Sequence, residues 1–376
     1  MMKAVILAGG QDMGKCPLSL VRPRPLFPVL NSVLLQNLLD ELRLADVGEA
    51  IICANGKTHI LREHFDDNPA ACVELDFHED KLPRGAAGCL RDVACSLKDG
   101  AFLVVEGSLF LDGGVAELVE EHRRNGAAVT VGAAPSANWQ SGNGTEEDDG
   151  RMSPVGVYVV EPAVLDHIPA RGYFDIKEQL IPVLLKNRLG VAASRFCGKH
   201  RRVVNASSYA VLVQEMLSGA FGGGHFDGLH EAAPQVWVAG DADVHPSATI
   251  IGPAVIGSRA RVGKDTTILG PSLVSEGVVL GDQTVVSGSI LWNDATVGSG
   301  ARVERSIVTD SFCVKDFSRL SACVAIDRDL NIGDMHGLRL GGYDIGSAQR
   351  TRPSATDDMK WSLSGLLRSF TFSFTW

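Results

Sequence analysis

Four short runs in the first third of the chain, 3–7 (KAVIL), 49–54 (EAIICA), 72–77 (CVELDF) and 101–106 (AFLVVE), are rich in aliphatic and β-branched residues. That is the texture of strands buried on both faces. Between them the period lengthens to that of a helix. In 32–45 (SVLLQNLLDELRLA), Leu34, Leu35, Leu38, Leu39 and Leu42 fall on one face. Strands alternating with helices predict an α/β domain with a Rossmann-like, mostly parallel sheet wrapped on both sides. The pattern continues with strand 155–160, helix 175–186, strand 190–196 and helix 206–217.

The texture changes after a glycine-rich stretch, 218–228 (SGAFGGGHFDG). Apolar residues then recur at every sixth position: Val244, Ile250, Ile256, Val262, Ile268, Val274, Leu280 and Val286. The register slips by one to Leu291, Val297 and Val303, and again to Val308 and Val314. Small residues sit four places after the apolar ones, at Ala248, Ala254, Ala260, Thr266 and Ser272. A fixed period of six predicts a parallel β-helix of hexapeptide repeats, with the apolar residue pointing into the stack and the small one in the corner. Such stacks have flat sides that pack on copies of themselves. The domain limits read from these textures are 1–217 for the α/β part, 218–235 for a linker, 236–330 for the β-helix and 331–376 for a tail. In the tail, Phe370, Phe372, Phe374 and Trp376 alternate with Ser and Thr, the pattern of a one-faced strand.

Composition narrows the partners. Net charge is −10, which disfavours nucleic acid as a partner but leaves room for a small anion held by a local positive field. The eight cysteines form no CxxC pair and are read as buried, reduced thiols. The N-terminal apolar run is too short for a leader or a membrane span, so a cytoplasmic protein without a membrane partner is expected. The polar stretch 135–153, with the acidic run 146–149, is expected to be a solvated, mobile loop. Trp237 is expected to seal the joint between domains.

Candidate chemistry gathers where the first strand ends. Ala8, Gly9 and Gly10 follow it directly, and glycines there let backbone N–H groups close on phosphate oxygens. Prolines and basic residues surround that turn in 17–20 (PLSL) and 22–29 (RPRPLFPV). This opening resembles the start of a sugar-nucleotide pyrophosphorylase, a nucleotidyltransferase that joins a sugar 1-phosphate to a nucleoside triphosphate and releases pyrophosphate. The stretch 82–90 (LPRGAAGCL), with Gly85 and Gly88, is similar to the family's nucleoside-binding loop. The stretch 102–112 (FLVVEGSLFLD), with Gly107, stands where the family has a strand ending in a metal-binding Gly-Asp. The stretch 154–169, with Gly156, resembles the segment that lines the sugar pocket. A left-handed β-helix of hexapeptide repeats is a common appendage of the family.

The charged positions depart from that resemblance. The family's loop reads Gly-x-Gly-x-Arg; here Asp12 stands for the second glycine and Gly14 for the arginine, with Lys15 one place late. Arg24 stands for the signature lysine before Pro-Leu. Ser108 replaces one metal-binding aspartate and Arg202 the other. A Glu-Lys-Pro segment has no counterpart in 135–153, and Pro154 stands where an asparagine contacts the sugar. A carboxylate among phosphates is repulsive, and Mg²⁺ usually anchors through one or two carboxylates. The resemblance therefore implies a family member impaired in catalysis, with a regulatory or structural role, that binds a nucleotide or sugar nucleotide and forms homo-oligomers or hetero-oligomers with an active paralogue. No cofactor is expected on this reading.

Two alternatives stand beside it. In an active nucleotidyltransferase, Lys15 or Arg24 meets the phosphates and Asp12, Glu106 or Asp112 binds Mg²⁺. In an acyltransferase acting through the β-helix, His245 would be the catalytic group; the bland reading of His245 is a residue that caps or packs in the first turn.

Overall fold

The computed structural model describes residues 2–9, 16–56, 58–67, 73–135, 152–221, 226 and 228–326. Positions 10–15, the acidic run and the aromatic tail lie outside them. The chain forms two compact units. The first holds the described parts of 1–11, 23–27 and 33–202; the second holds those of 12–22, 28–32 and 203–376.

The first unit is built on a seven-stranded sheet. Its strands in chain order are β1 (Met2–Leu7), β2 (Val47–Ala54), β3 (Glu74–Glu79), β4 (Phe102–Glu106), β6 (Val129–Pro135), β7 (Met152–Val160) and β8 (Val191–Arg195); the short β5 (Leu109–Asp112) pairs outside it with β9 (Lys199–Arg202). The spatial order is β8-β6-β7-β4-β1-β2-β3. All neighbours run parallel except β7, which is antiparallel to both β4 and β6. The expected α/β sheet is therefore present, and its central strand is β4, with the first strand of the chain beside it.

Helices cover both faces, and the apolar positions fix which. On one face Ala4, Ile6, Ile52, Leu103 and Val157 pack with α1 (Leu34–Leu44), α2 (Thr58–Asp67) and α4 (Val115–Asn125). The five leucines of the α1 stripe are each 1% exposed or less. On the other face Val5, Ile51, Val104 and Tyr158 pack with α3 (Gly85–Asp92) and α5 (Ile181–Lys186). Burying each such side chain contributes about 1.5–3 kcal/mol. The helix expected over 175–186 is split. Ile176–Leu180 is a wide turn in which the Leu180 N–H donates to the Asp175 carbonyl at 2.9 Å, and α5 starts beyond it with a proline in its first turn.

The second unit carries the β-helix. One sheet stacks Ala254–Ile256, Ser272–Val274, Ile290–Leu291, Ile307–Val308 and Val324–Ala325; two more sheets stack the intervening strands, all parallel. Val262, Ile268, Val274, Leu280 and Val286 line the interior as the period of six requires. The two register slips have a local cause. Ile256 pairs with Val274, but Val274 pairs with Leu291 and Leu291 with Val308, so the repeat falls from 18 residues to 17. The missing residue is at one corner: Gly252-Pro253 and Gly270-Pro271 turn it in the early coils, and Gly288 with Ser289 in the next. Buried serines keep that corner satisfied. The Ser289 N–H donates to Ser272 Oγ at 3.3 Å, Ser306 N–H to Ser289 Oγ at 3.1 Å, and Cys323 N–H to Ser306 Oγ at 3.2 Å.

The stretch expected to be a linker up to 235 ends in a strand, β10 (Leu229–Ala233), which folds back on β11 (Val236–Ala239) and starts the first sheet. Trp237 stacks on Phe226 within this unit, with ring centroids 4.6 Å apart. His245 Nδ1 accepts from the Ser247 N–H at 3.1 Å, so it caps its own turn. Among the described cysteines none is in a disulfide. Cys16, Cys53 and Cys89 are buried as expected, whereas Cys95, Cys197 and Cys313 are exposed.

A polar brace ties three parts of this unit. Trp292 and Tyr209, on α6 (Ala206–Leu217), are both fully buried. The Trp292 indole N–H donates to Tyr209 Oη at 2.9 Å, and the Tyr209 hydroxyl donates to the Pro28 carbonyl at 2.5 Å. The Arg22 guanidinium sits 5.5 Å over the Trp292 ring and pairs with Asp310 at 2.6 Å. Among the described residues no helix is long and apolar enough to cross a membrane.

Two outcomes follow from the brace. Trp292→Phe removes the indole donor and should lower stability by ~1–3 kcal/mol, read from denaturant unfolding. Burial pushes the Asp310 carboxyl above its ordinary range, against the pull of Arg22. Folding thus favours its protonated form, a contribution that is full below the ordinary aspartate pKa and lost as pH rises through the raised one. Asp310→Asn should flatten that part of the stability–pH curve, measured between pH 3.5 and 6.

Candidate functional site

The site is assembled at the carboxyl ends of β1 and β4, which lie side by side with Leu7 opposite Glu106. Ala8 and Gly9 leave β1 and turn toward β2. Both of their N–H groups donate to the Cys53 carbonyl, at 2.8 and 2.9 Å. A Cβ at Gly9 would lie 3.3 Å from the Asn55 nitrogen, so a side chain there would crowd the neighbouring backbone. Gly107 closes the other side. Its N–H donates to the Leu7 carbonyl at 3.0 Å, and a Cβ would meet Ala8 at 3.1 Å. The two strand ends are thus drawn together by glycines, with two of the expected phosphate donors already bonded to protein.

Beside this pair stands a charged cluster. Arg202, the last residue of β9, engages both oxygens of Glu106, the last residue of β4. Its Nε lies 2.9 Å from Oε2, and its Nη2 donates to Oε1 at 3.1 Å and to the Val155 carbonyl at 2.9 Å. Lys177 reaches Glu106 Oε1 at 3.3 Å from the wide turn 176–180. That turn is capped by Asp175, whose side chain accepts from the N–H groups of Lys177 and Glu178 at 2.7 and 3.0 Å. Gly156 on β7 makes the space. It adopts φ +104°, and a Cβ there would fall 2.8 Å from Glu106 Cδ and 2.9 Å from Arg202 Nη2.

The remaining sequence candidates are dispersed. Gly85, at φ +78°, opens α3 against the Phe174 carbonyl, which accepts from the Ala87 and Gly88 N–H groups at 3.1 Å. Gly88 leaves room for the Arg84 side chain. Arg24 is half-buried in a short helical turn, Arg24–Leu26. Asp112 pairs with Lys199 at the far end of the β5–β9 ladder, whereas Leu109 pairs with Arg202. Three residues of strand separate the two ends by roughly 10 Å. Gly10, Asp12 and Lys15 lie outside the described residues.

Residues 3–149 match the nucleotidyl transferase family, and residues 253–344 match the GlmU-like C-terminal hexapeptide. The chain carries a nucleotidyl transferase domain followed by a hexapeptide-repeat β-helix. Over 285 residues it is 25% identical to the mannose-1-phosphate guanylyltransferase of Mycobacterium tuberculosis, covering 70% of this chain and 77% of that protein. Over 347 residues it is 24% identical to the UTP–glucose-1-phosphate uridylyltransferase of a Synechocystis strain, covering 83% and 88%.

Does the nucleotidyl transferase domain offer a divalent cation the ligands it needs? Mg²⁺ takes oxygen donors in near-octahedral array. At the strand end Glu106 is held by two cations, Asp175 caps the adjoining turn, and Asp112 is a strand's length away. Among the described residues no group of three His, Cys, Asp or Glu side chains could hold a metal ion. The described residues do not fit the metal that the resemblance implies.

Reading by sequence missed two members of this cluster, Asp175 and Lys177, and the buried Tyr158 on whose phenol the charges of Glu106, Arg202 and Asp175 act. Asp175 carried a signal, since Asp with Glu three places on is a helix-start pattern. Lys177 and Tyr158 carried none, because their role depends on which side of the sheet they meet. Gly156→Ala should lower stability by ~1–3 kcal/mol, through the unfavourable φ and the crowding of Glu106 and Arg202, measured by chemical denaturation.

Proposed function

We propose that this chain is a catalytically impaired member of the sugar-nucleotide pyrophosphorylase group that binds a nucleotide or sugar nucleotide and acts as a regulatory or structural subunit. One observation carries the reading: the Arg202 guanidinium is locked onto Glu106 at the carboxyl end of β4. Transfer of a nucleotidyl group brings two phosphorylated reactants together, and a metal offsets their repulsion by several kcal/mol. Each ~1.4 kcal/mol is tenfold in rate. A fixed arginine–glutamate pair neutralises itself and offers no open coordination position, so the cleft lacks that contribution.

Support also comes from the first turn, where the Ala8 and Gly9 amides are bonded to Cys53. The packing glycines Gly9, Gly107 and Gly156 are all in use, so the loss falls on charge and spares the architecture. The relatives' names divide between guanylyl and uridylyl transfer and between mannose and glucose 1-phosphate. The ligand class they share is a nucleotide joined to a hexose through phosphate. A regulatory subunit of this kind would assemble with itself or with an active paralogue through its β-helix.

The test is pyrophosphate release from GTP or UTP with mannose 1-phosphate or glucose 1-phosphate in Mg²⁺. Turnover at least about three decades below that of an active relative is expected, the deficit that ~4 kcal/mol imposes. Guanosine or uridine diphosphate sugars should still raise the melting temperature. Robust Mg²⁺-dependent turnover would falsify the reading.

A further inference from the structure

The cluster at the end of β4 sets two cations on one carboxylate, Glu106. Lys177 and Arg202 both converge on Glu106, and the other carboxylate nearby, Asp175, is committed to two backbone N–H groups. These side chains are reachable, with Glu106, Arg202 and Lys177 25%, 35% and 39% exposed. Beneath them lies a donor without an acceptor. Tyr158 is 1% exposed, and its hydroxyl has no hydrogen-bond partner among the described residues. It pairs across the sheet with Val104, so it shares a face with Glu106 two residues further on, as Gly156 does on β7. The charges of Glu106, Arg202 and Asp175 all act on the phenol. Burial keeps that phenol protonated, hence a donor.

We propose that Arg202, Lys177 and Tyr158 form a metal-free site for a phosphate or diphosphate group, and that Glu106 is its built-in competitor. A guanidinium pairs with phosphate through the same two-point geometry it uses for carboxylate. A dianionic phosphate outbids a single carboxylate for two cations, and it leaves an oxygen for the phenol. Gly156 is what makes exchange feasible, because the absence of a Cβ leaves the space in which Glu106 lies over β7. The positive charge that relatives would take from a metal is then supplied by the chain itself. This inference rests on the reading that the domain binds a phosphorylated ligand.

The experiment is calorimetric titration of the full chain with inorganic pyrophosphate in EDTA. Glu106→Gln frees both cations and should tighten binding by ~10-fold or more, the worth of one charge-assisted hydrogen bond. Arg202→Gln should abolish it. Circular dichroism melts establish that each variant is folded. Should Glu106→Gln fail to fold, Lys177→Gln decides, with a loss of about 3- to 10-fold expected for an exposed cation. Unchanged or weaker affinity in folded Glu106→Gln, unchanged affinity in Lys177→Gln, or binding that requires Mg²⁺ overturns the proposal. The two readings fail separately. Turnover by the wild type sinks the loss of catalysis alone, and absence of tightening without turnover sinks the metal-free site alone.

Discussion

At the carboxyl end of β4 a carboxylate meets a guanidinium and an ammonium, and the character of the domain follows from that contact. Opposite charges a few ångströms apart attract more strongly at a partly buried strand end than in bulk water, because the effective dielectric there is lower. The pair ties β9 to β7, through the bond from Arg202 to the Val155 carbonyl, and lies where a Cβ at Gly156 would fall. The same contact removes Glu106 as a metal ligand. Structure and chemistry are set by one electrostatic choice.

The rest of the first unit is conservative by comparison. Two apolar layers cover a sheet in which β1 and the central β4 lie side by side, and glycines at 9 and 107 let their ends approach. These are packing demands, and they hold whether or not a ligand binds. That is why the architecture of the domain is set apart from the charges at its strand ends. The second unit illustrates a different economy. Its β-helix loses one residue at one corner, and a ladder of buried serines satisfies the backbone there so that the interior stack continues unbroken.

What the sequence made legible depended on local periodicity. The leucine stripe of α1, the buried strands and the period of six report burial, and burial follows from hydrophobicity repeated at the spacing of the element. Even the register slips at Leu291 and Val308 were visible, because each coil repeats the same corner. The linker misled: composition hid β10, a strand whose partner is its neighbour β11. The helix at 175–186 was blurred because Pro182 breaks the hydrogen-bond ladder and leaves a wide turn before it.

The sequence by itself determined the fold class and the strand-end position of the candidate site. Only the tertiary structure decided which charged side chains meet there. Glu106, Gly156, Lys177 and Arg202 come from four separate segments, and nothing in their spacing says that they meet. Nor could spacing show that the Ala8 and Gly9 amides turn to Cys53, or that Asp112 lies a strand's length from Glu106. Hydrophobic patterning is written along the chain, because each element must bury its own face. Charge pairing is written across it, because a carboxylate's partner is whichever cation the folded sheet brings within reach.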